Sequence, residues 1–248
     1  VNETIGSYRY KCEVTCEDYT LSSNIVQLTV LRVNLSGAAL SATIAGRAYD
    51  GSTSATVTAS SIGNSGLAAN TDYTISAEFE DANAGEGKKV TVKVTLTNTN
   101  YCFGYDADGT PILEETFQTT GTITQNTTPI EKSEKIEVYS GIAHTYTIDL
   151  DACLSNLQNL GFESYEITEK NIVVAKLIDA NQVVLEGHSL KIPVNAVITA
   201  PSTEAAQFTI TVTCKNYSDV TIRVRVVTKD RLAVTATATP SKSELTYG

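Results

Sequence analysis

The chain has 248 residues, with 18 Lys and Arg against 28 Asp and Glu, a formal net charge of −10. Nucleic-acid phosphates and anionic membrane surfaces both call for a basic face, so neither is expected as a partner. Hydrophobic residues at 42% and charged residues at 19% fit folded modules rather than disorder, and no run of about 20 apolar residues is present to span a bilayer.

Residues 8–16 alternate Tyr8, Tyr10, Cys12, Val14 and Cys16 with polar side chains, which predicts one strand. A polar turn at 17–23 leads to a second strand over 25–33, with Val26, Leu28 and Val30 on one face. Four residues along a strand is about 13 Å, so Cys12 and Cys16 cannot bridge each other there. Most of the five cysteines (Cys12, Cys16, Cys102, Cys153, Cys214) are expected to be small buried apolar side chains. Further on, residues 42–48 and 53–59 flank Asp50-Gly51, a dipeptide suited to positive φ in a tight hairpin turn. Strands are expected at 73–79 and 90–96, where Val90, Val92, Val94 and Leu96 alternate strictly with Thr and Lys. Residues 101–117 read as a projecting hairpin with its tip at Asp106–Gly109, and 121–124 as the last strand of that module. Residues 124–133 read as a polar linker.

Beyond it, strands are expected at 135–139, 145–150, 164–167, 172–178, 182–185, 190–198, 208–214 and 220–227, the last two joined by a KNYSD turn. Residues 151–161 form the one helical candidate, with Asp151 as N-cap, Asp149 solvated, and Gly161 as terminator. Residues 233–248 open another strand.

Four segments carry a family resemblance, the first two of them as a pair. Tyr49-Asp50-Gly51-Ser52-Thr53 is followed by Phe79, Asp81, Asn83, Gly85, Gly87 and Lys88 in a Phe-x-Asp-x-Asn-x-Gly-x-Gly-Lys run. The pair resembles the YDG repeat of bacterial surface adhesins. The GSYRYKCEVTC run, with Tyr10 two residues before Cys12, resembles the penultimate strand of immunoglobulin-like domains, although no core Trp exists. The Thr-rich strands around KNYSD resemble repeats in surface proteins of gut-type Gram-positive bacteria.

These resemblances imply an all-β chain of tandem immunoglobulin-like or β-sandwich modules. Residues 1–33 would be the C-terminal hairpin of a truncated immunoglobulin-like domain and 34–128 a YDG-like module. Residues 129–232 would be an immunoglobulin-like sandwich, and 233–248 the opening strand of a further repeat. The implied role is a non-catalytic stalk or adhesion segment of a bacterial cell-surface protein, extracellular, with secretion and anchoring signals outside this stretch. The alternative is a set of accessory modules of a large secreted polysaccharide-degrading enzyme. A third idea is a pilin-type module locked by a Lys–Asn or Lys–Asp isopeptide bond.

Candidate chemistry is sparse. Asp106-x-Asp108-Gly109 is the nearest approach to a calcium loop, but the twelfth position from Asp106 is Phe117 rather than Glu. His144 and His188 sit near no nucleophile motif, and no phosphate loop or metal spacing is present. Neither catalytic residue, cofactor nor metal is therefore expected. Tyr101, Tyr105, Asp106 and Asp108 are the ligand-binding candidates, because an exposed Tyr combines apolar area with a hydrogen-bonding end. The partner would be a protein or a glycan, with self-association through the incomplete end modules as a further expectation.

Overall fold

The computed structural model describes residues 4–157 and 159–230; the predicted strand at 233–248, and any pairing through it, lies outside them. The chain divides into two compact units, Val1–Gln125 and Asn126–Gly248. Apart from one five-residue helix, the regular structure described in both is β.

The first unit opens with a two-stranded ribbon. Strands β1 (Gly6–Tyr10), β2 (Glu13–Cys16), β3 (Tyr19–Ser22) and β4 (Val26–Val30) pair as β1 with β4 and β2 with β3, both antiparallel. The predicted single strand over 8–16 is thus broken at Lys11–Cys12, and the turn shrinks to Glu17–Asp18, with Glu17 at φ 49°. Register and alternation put Tyr8, Tyr10, Val26 and Leu28 on one face of the first pair, and Val14, Cys16, Tyr19 and Leu21 on one face of the second. Val14, Tyr19, Leu21 and Val26 are exposed. Among the described residues no second layer covers these faces, since a two-stranded ribbon supplies none.

The body of the unit follows. It contains β5 (Val33–Asn34), β6 (Leu40–Ile44), β7 (Arg47–Ala48), β8 (Ser54–Ala55), β9 (Val57–Ile62), β10 (Tyr73–Phe79) and β11 (Gly85–Leu96). It ends with β12 (Tyr101–Cys102), β13 (Gly104–Tyr105), β14 (Pro111–Ile112) and β15 (Glu114–Thr124). A five-stranded sheet runs β7-β15-β11-β10-β8, and β6 pairs with β9 separately. Alternation along β11 buries Val90, Val92, Val94 and Leu96. Ile62, Tyr73, Val94, Leu96 and Phe103 form one core cluster, flanked by Leu35, Leu40 and Phe117. The last strand is eleven residues long, not the four predicted, because Glu114–Phe117 pair with β11 rather than belonging to the hairpin before them.

Asp50-Gly51 does not make a tight hairpin turn. Gly51 has φ 81°, but the chain around it changes partners: β7 joins β15 at one edge of the sheet and β8 joins β10 at the other. Tyr49 N–H and Thr53 C=O extend those pairings, leaving four residue steps between them, at most about 14 Å. A flat five-stranded sheet would need about 19 Å at about 4.8 Å per strand. The sheet is therefore curled, with its two edges drawn together under the 49–53 arch.

The second unit is a β-sandwich. It comprises β16 (Ile130–Tyr139), β17 (His144–Asp149), helix α1 (Leu150–Leu154), β18 (Phe162–Ile172), β19 (Val184–Glu186), β20 (Ser189–Val194), β21 (Glu204–Cys214) and β22 (Val220–Lys229). One sheet runs β16-β22-β21-β18 and the other β17-β20-β19. Ile148, Leu190, Ile192 and Val194 from the smaller sheet share one buried cluster with Phe208, Ile210, Ile222 and Val224 from the larger. Facing sheets of this kind close over a core about 10 Å thick. The predicted linker yields to strand at Ile130, since β16 pairs in parallel with β22 along its whole length, from Ile130↔Val220 to Tyr139↔Lys229.

The strand predicted over 172–178 is a turn from Val174, whose carbonyl accepts from Leu177 and Ile178. Both of those neighbours are fully buried, which a strand with one wet face cannot achieve. Helix α1 is shorter than the predicted 151–161 and its cap is Asp149, whose Oδ1 accepts from Asp151 N at 3.0 Å and Ala152 N at 3.3 Å. Among the cysteines, Cys102 and Cys214 are buried, Cys153 is half-buried, and Cys12 and Cys16 are exposed. Two of the five, rather than most, are core side chains.

A Cβ at Gly121 would stand 2.9 Å from Phe79 Cε1 and 3.0 Å from Ile44 Cγ2, both on the inner side of the curl. Gly121→Ala should destabilise the first unit by about 1–3 kcal/mol through overpacking. Urea unfolding of the two proteins measures the difference, and equal midpoints would mean that the curl relaxes to admit the methyl.

Candidate functional site

The YDG signature residues come together around the closed end of the curled sheet. Asp50 Oδ1 accepts from Ser52 N at 2.8 Å and from the Arg47 guanidinium, which also donates to Ser52 C=O. These bonds hold the Asp50 carboxyl below its usual range, with the Ser52 amide the largest cause. Arg47 lies with Cζ 5.5 Å from the centroid of buried Phe79, a cation–π geometry. Tyr49 is buried as well.

The second half of the signature works in the same way. Lys88 continues the alternation of Val90, Val92 and Val94 and so falls on the buried face of β11, with its side chain only 8% exposed. Its ammonium reaches Asp81 Oδ1 at 2.7 Å, and the same oxygen accepts from Asn83 N at 2.7 Å. The Lys88 bond is the main reason the Asp81 carboxyl sits below its usual range. Gly87, at φ 61°, carries the irregularity between Gly85 and Lys88 that lets β11 leave register with β15. A protonated carboxyl and a neutral amine would be needed to condense Lys88 with Asp81, whereas these surroundings favour the ion pair.

Of the four ligand-binding candidates, Tyr101 is half-buried against the core cluster. Asp106 Oδ1 accepts from Asp108 N at 3.0 Å and Thr110 N at 2.7 Å, which folds the tip. Tyr105 and Asp108 are exposed. The hairpin is anchored at its base, where Cys102 and Phe103 are buried and Phe103 N–H donates to Ile112 C=O. Only its tip projects. Beside the base lies a cavity of about 310 Å³ lined by Leu35, Leu40, Phe103, Glu115 and Phe117 among others.

A second constellation, in the second unit, has no counterpart in any sequence motif. Asp151, released from capping by Asp149, accepts from Tyr165 Oη at 2.8 Å and pairs with His188 Nδ1 at 2.9 Å. A carboxylate only accepts, so Nδ1 carries the proton and Nε2 is left as the second nitrogen. Phe162, Tyr165 and His188 pack ring against ring, with centroids 4.5 to 5.6 Å apart. Together with Leu154, Leu157, Asn159 and Leu160 they line a cavity of about 340 Å³. The His188 bond first, then Tyr165, holds Asp151 below the usual carboxylate range. Burial and the Asp151 carboxylate push the Tyr165 phenol up. Burial likewise raises the nearby Cys153 thiol to about 11, which keeps it protonated at neutral pH. No group of three or more His, Cys, Asp or Glu placed to hold a metal occurs among the described residues.

Comparison with known proteins bears on the first unit. A family model of the YDG domain matches residues 37–110, so the chain carries a YDG domain there, spanning β6 to the hairpin tip. No curated protein matches the chain. Among solved structures, an endo-fucoidan hydrolase from glycoside hydrolase family 107 is similar at 13% identity and TM-score 0.26. That likeness covers 92% of this chain and 34% of the hydrolase. The human desmocollin-1 ectodomain is similar at 12% identity and TM-score 0.27, covering 86% and 44%. The chain thus spans less than half of either protein, and likenesses this distant say nothing about its chemistry.

Amide exchange should be fast at residues 105–110 and slow at Phe103 and across Val90–Leu96, measured by mass spectrometry or NMR. Uniformly slow exchange would show the tip to be packed. The Lys88–Asp81 pair gives a pH signature. Asp81 has a depressed folded pKa, so its contribution is present above the unfolded value of about 3.9 and lost as pH falls through the folded one. Asp81→Asn should cost about 1–2 kcal/mol near pH 7, since the pair is exposed on one side only. That gap should narrow below about pH 4; thermal melts of both proteins across the range check it.

Proposed function

We propose that this chain is a non-catalytic stalk or adhesion segment of a bacterial cell-surface protein, acting outside the cell. The observation that carries the reading is the parallel ladder between β16 and β22, the first and last described strands of the second unit, in register over ten residues. In a parallel pair the start of one strand lies beside the start of the other. The chain therefore enters the ladder at Ile130 and leaves it at Lys229, at opposite ends. Tension along the chain pulls the two strands past each other, and the bonds between them load together instead of opening singly. Such a pairing suits an element that bears load.

The YDG domain supports the same role. Its signature carboxylates and lysine are engaged in turn and bulge contacts, which suits a scaffold. An accessory module of a secreted polysaccharide-degrading enzyme would share these folds. A catalytic domain or a cell-wall sorting signal in the full-length gene separates the two readings.

Single-molecule pulling with handles at Ile130 and Lys229 should unfold the second unit at a force well above that needed when the second handle is moved from Lys229 to Gly187, in the β19–β20 turn, where β19 peels from its neighbour. Ser133→Pro and Glu134→Pro sharpen the test, since along a strand paired on one side only one of two adjacent amides faces the partner. One of the two variants should lower the force strongly and the other little. Equal forces in both attachment geometries would sink the stalk reading.

A further inference from the structure

We infer that the groove walled by Phe162, Tyr165 and His188 is a subsite for a neutral saccharide. The inference deepens the adhesion side of the proposed function and rests on it only for biological sense, because the groove's geometry is independent of the β16–β22 ladder.

The groove has the two halves that a sugar needs. One is apolar: the floor is Leu154, Leu157 and Leu160, and the wall is a self-packed cluster of three rings, of which Phe162 and His188 remain substantially exposed. Their centroids are too close for anything to insert between them, so they offer a platform rather than a cage. The ring faces carry negative charge and the C–H bonds of a pyranose carry positive, which favours stacking.

The other half is polar and one-sided. Asp151 takes Tyr165 Oη on one oxygen and His188 Nδ1 on the other. Each carboxylate oxygen has two lone pairs, so acceptor capacity remains on both. His188 Nε2 accepts from a hydroxyl when the ring is neutral and donates to one when it is charged, and a sugar hydroxyl satisfies either. Acceptors of this kind seek donors, and sugar hydroxyls supply several on one small ring. The two existing bonds lock the carboxylate and the imidazole before any ligand arrives, which reduces the ordering entropy of binding. A cavity of about 340 Å³ lies at the small end of ligand clefts, which suits one or two rings.

Charge selects among saccharides. Asp151 is held ionised, Asp149 and Glu163 flank the groove in sequence, and residues 126–248 carry 14 Asp and Glu against 11 Lys and Arg, with Lys215 beside Gly161 the nearby cation. A sulfated or uronic-acid glycan meets repulsion there, whereas a neutral hexose or pentose does not.

The test uses the full 248-residue chain and NMR chemical-shift titration with cellobiose, lactose, maltose, xylobiose and mannobiose, and with a hyaluronan disaccharide as the anionic control. At least one neutral disaccharide should bind with Kd on the order of 1 mM, shifting the Phe162, Tyr165 and His188 resonances, while the anionic one leaves them unmoved. Phe162→Ala should weaken that binding about tenfold. Tyr165→Phe keeps the ring and removes only the donor to Asp151, so it should weaken binding by a smaller factor and guards against a fold defect in the first variant. Absence of shifts at these three residues with every neutral sugar, binding that Phe162→Ala leaves intact, or preference for the anionic disaccharide would each overturn the inference. Unfolding force is unaffected by these substitutions if the stalk reading holds, so failure of the subsite and failure of the stalk are told apart.

Discussion

A β-strand can hide only every second side chain, and every sheet in this protein is governed by the need for something to cover the face it turns inward. The second unit answers with a second sheet: Leu190, Ile192 and Val194 on β20 share one core with Phe208, Ile210 and Val212 on β21. The first unit curls its main sheet instead, and residues of the YDG signature, together with Arg47 and Gly121, hold the curl. Asp50 and Arg47 brace the arch, Gly121 makes room for Phe79, and the buried ammonium of Lys88 is neutralised by Asp81, just past the end of β10. Among the described residues the N-terminal ribbon has neither solution, and Val14, Tyr19, Leu21 and Val26 are exposed.

Buried or half-buried charge explains why the signature has its particular residues. A lysine on the inward face of β11 is tolerable only with a partner that is itself fixed. Asp81 is fixed by the Asn83 amide, and the glycine at φ 61° gives the chain room to bring the two together. Replacing any of these with a residue of similar polarity would keep the composition and lose the geometry.

Much of this is legible in the residues. The strict alternation at Val90–Leu96, Phe208–Cys214 and Val220–Val226 marks strands because each of them is paired on both sides in a sheet with a buried face. The start of β16 carries no such mark, since Ile130-Glu-Lys-Ser has a single apolar residue: it is an edge strand, specified by backbone pairing to β22 and not by its own burial. The cap of α1 lies two residues before the predicted one, as Asp149 and Asp151 are chemically identical and only the position of the helix start distinguishes them. The Asp151, Tyr165 and His188 cluster gives no local signal at all. Its other members lie 14 and 37 residues from Asp151 in the chain and meet only because α1, β18 and the turn before β20 converge.

The same parallel ladder that would resist tension also sets the order in which the second unit can form. Ile130 and Val220 are partners although 90 residues separate them in sequence, and the larger sheet gains its central pairing only when β22 is in place. Contacts this distant make for high contact order, and proteins dominated by them fold over milliseconds to seconds rather than microseconds. A nascent chain would hold β16 without a neighbour until nearly the whole unit had been synthesised.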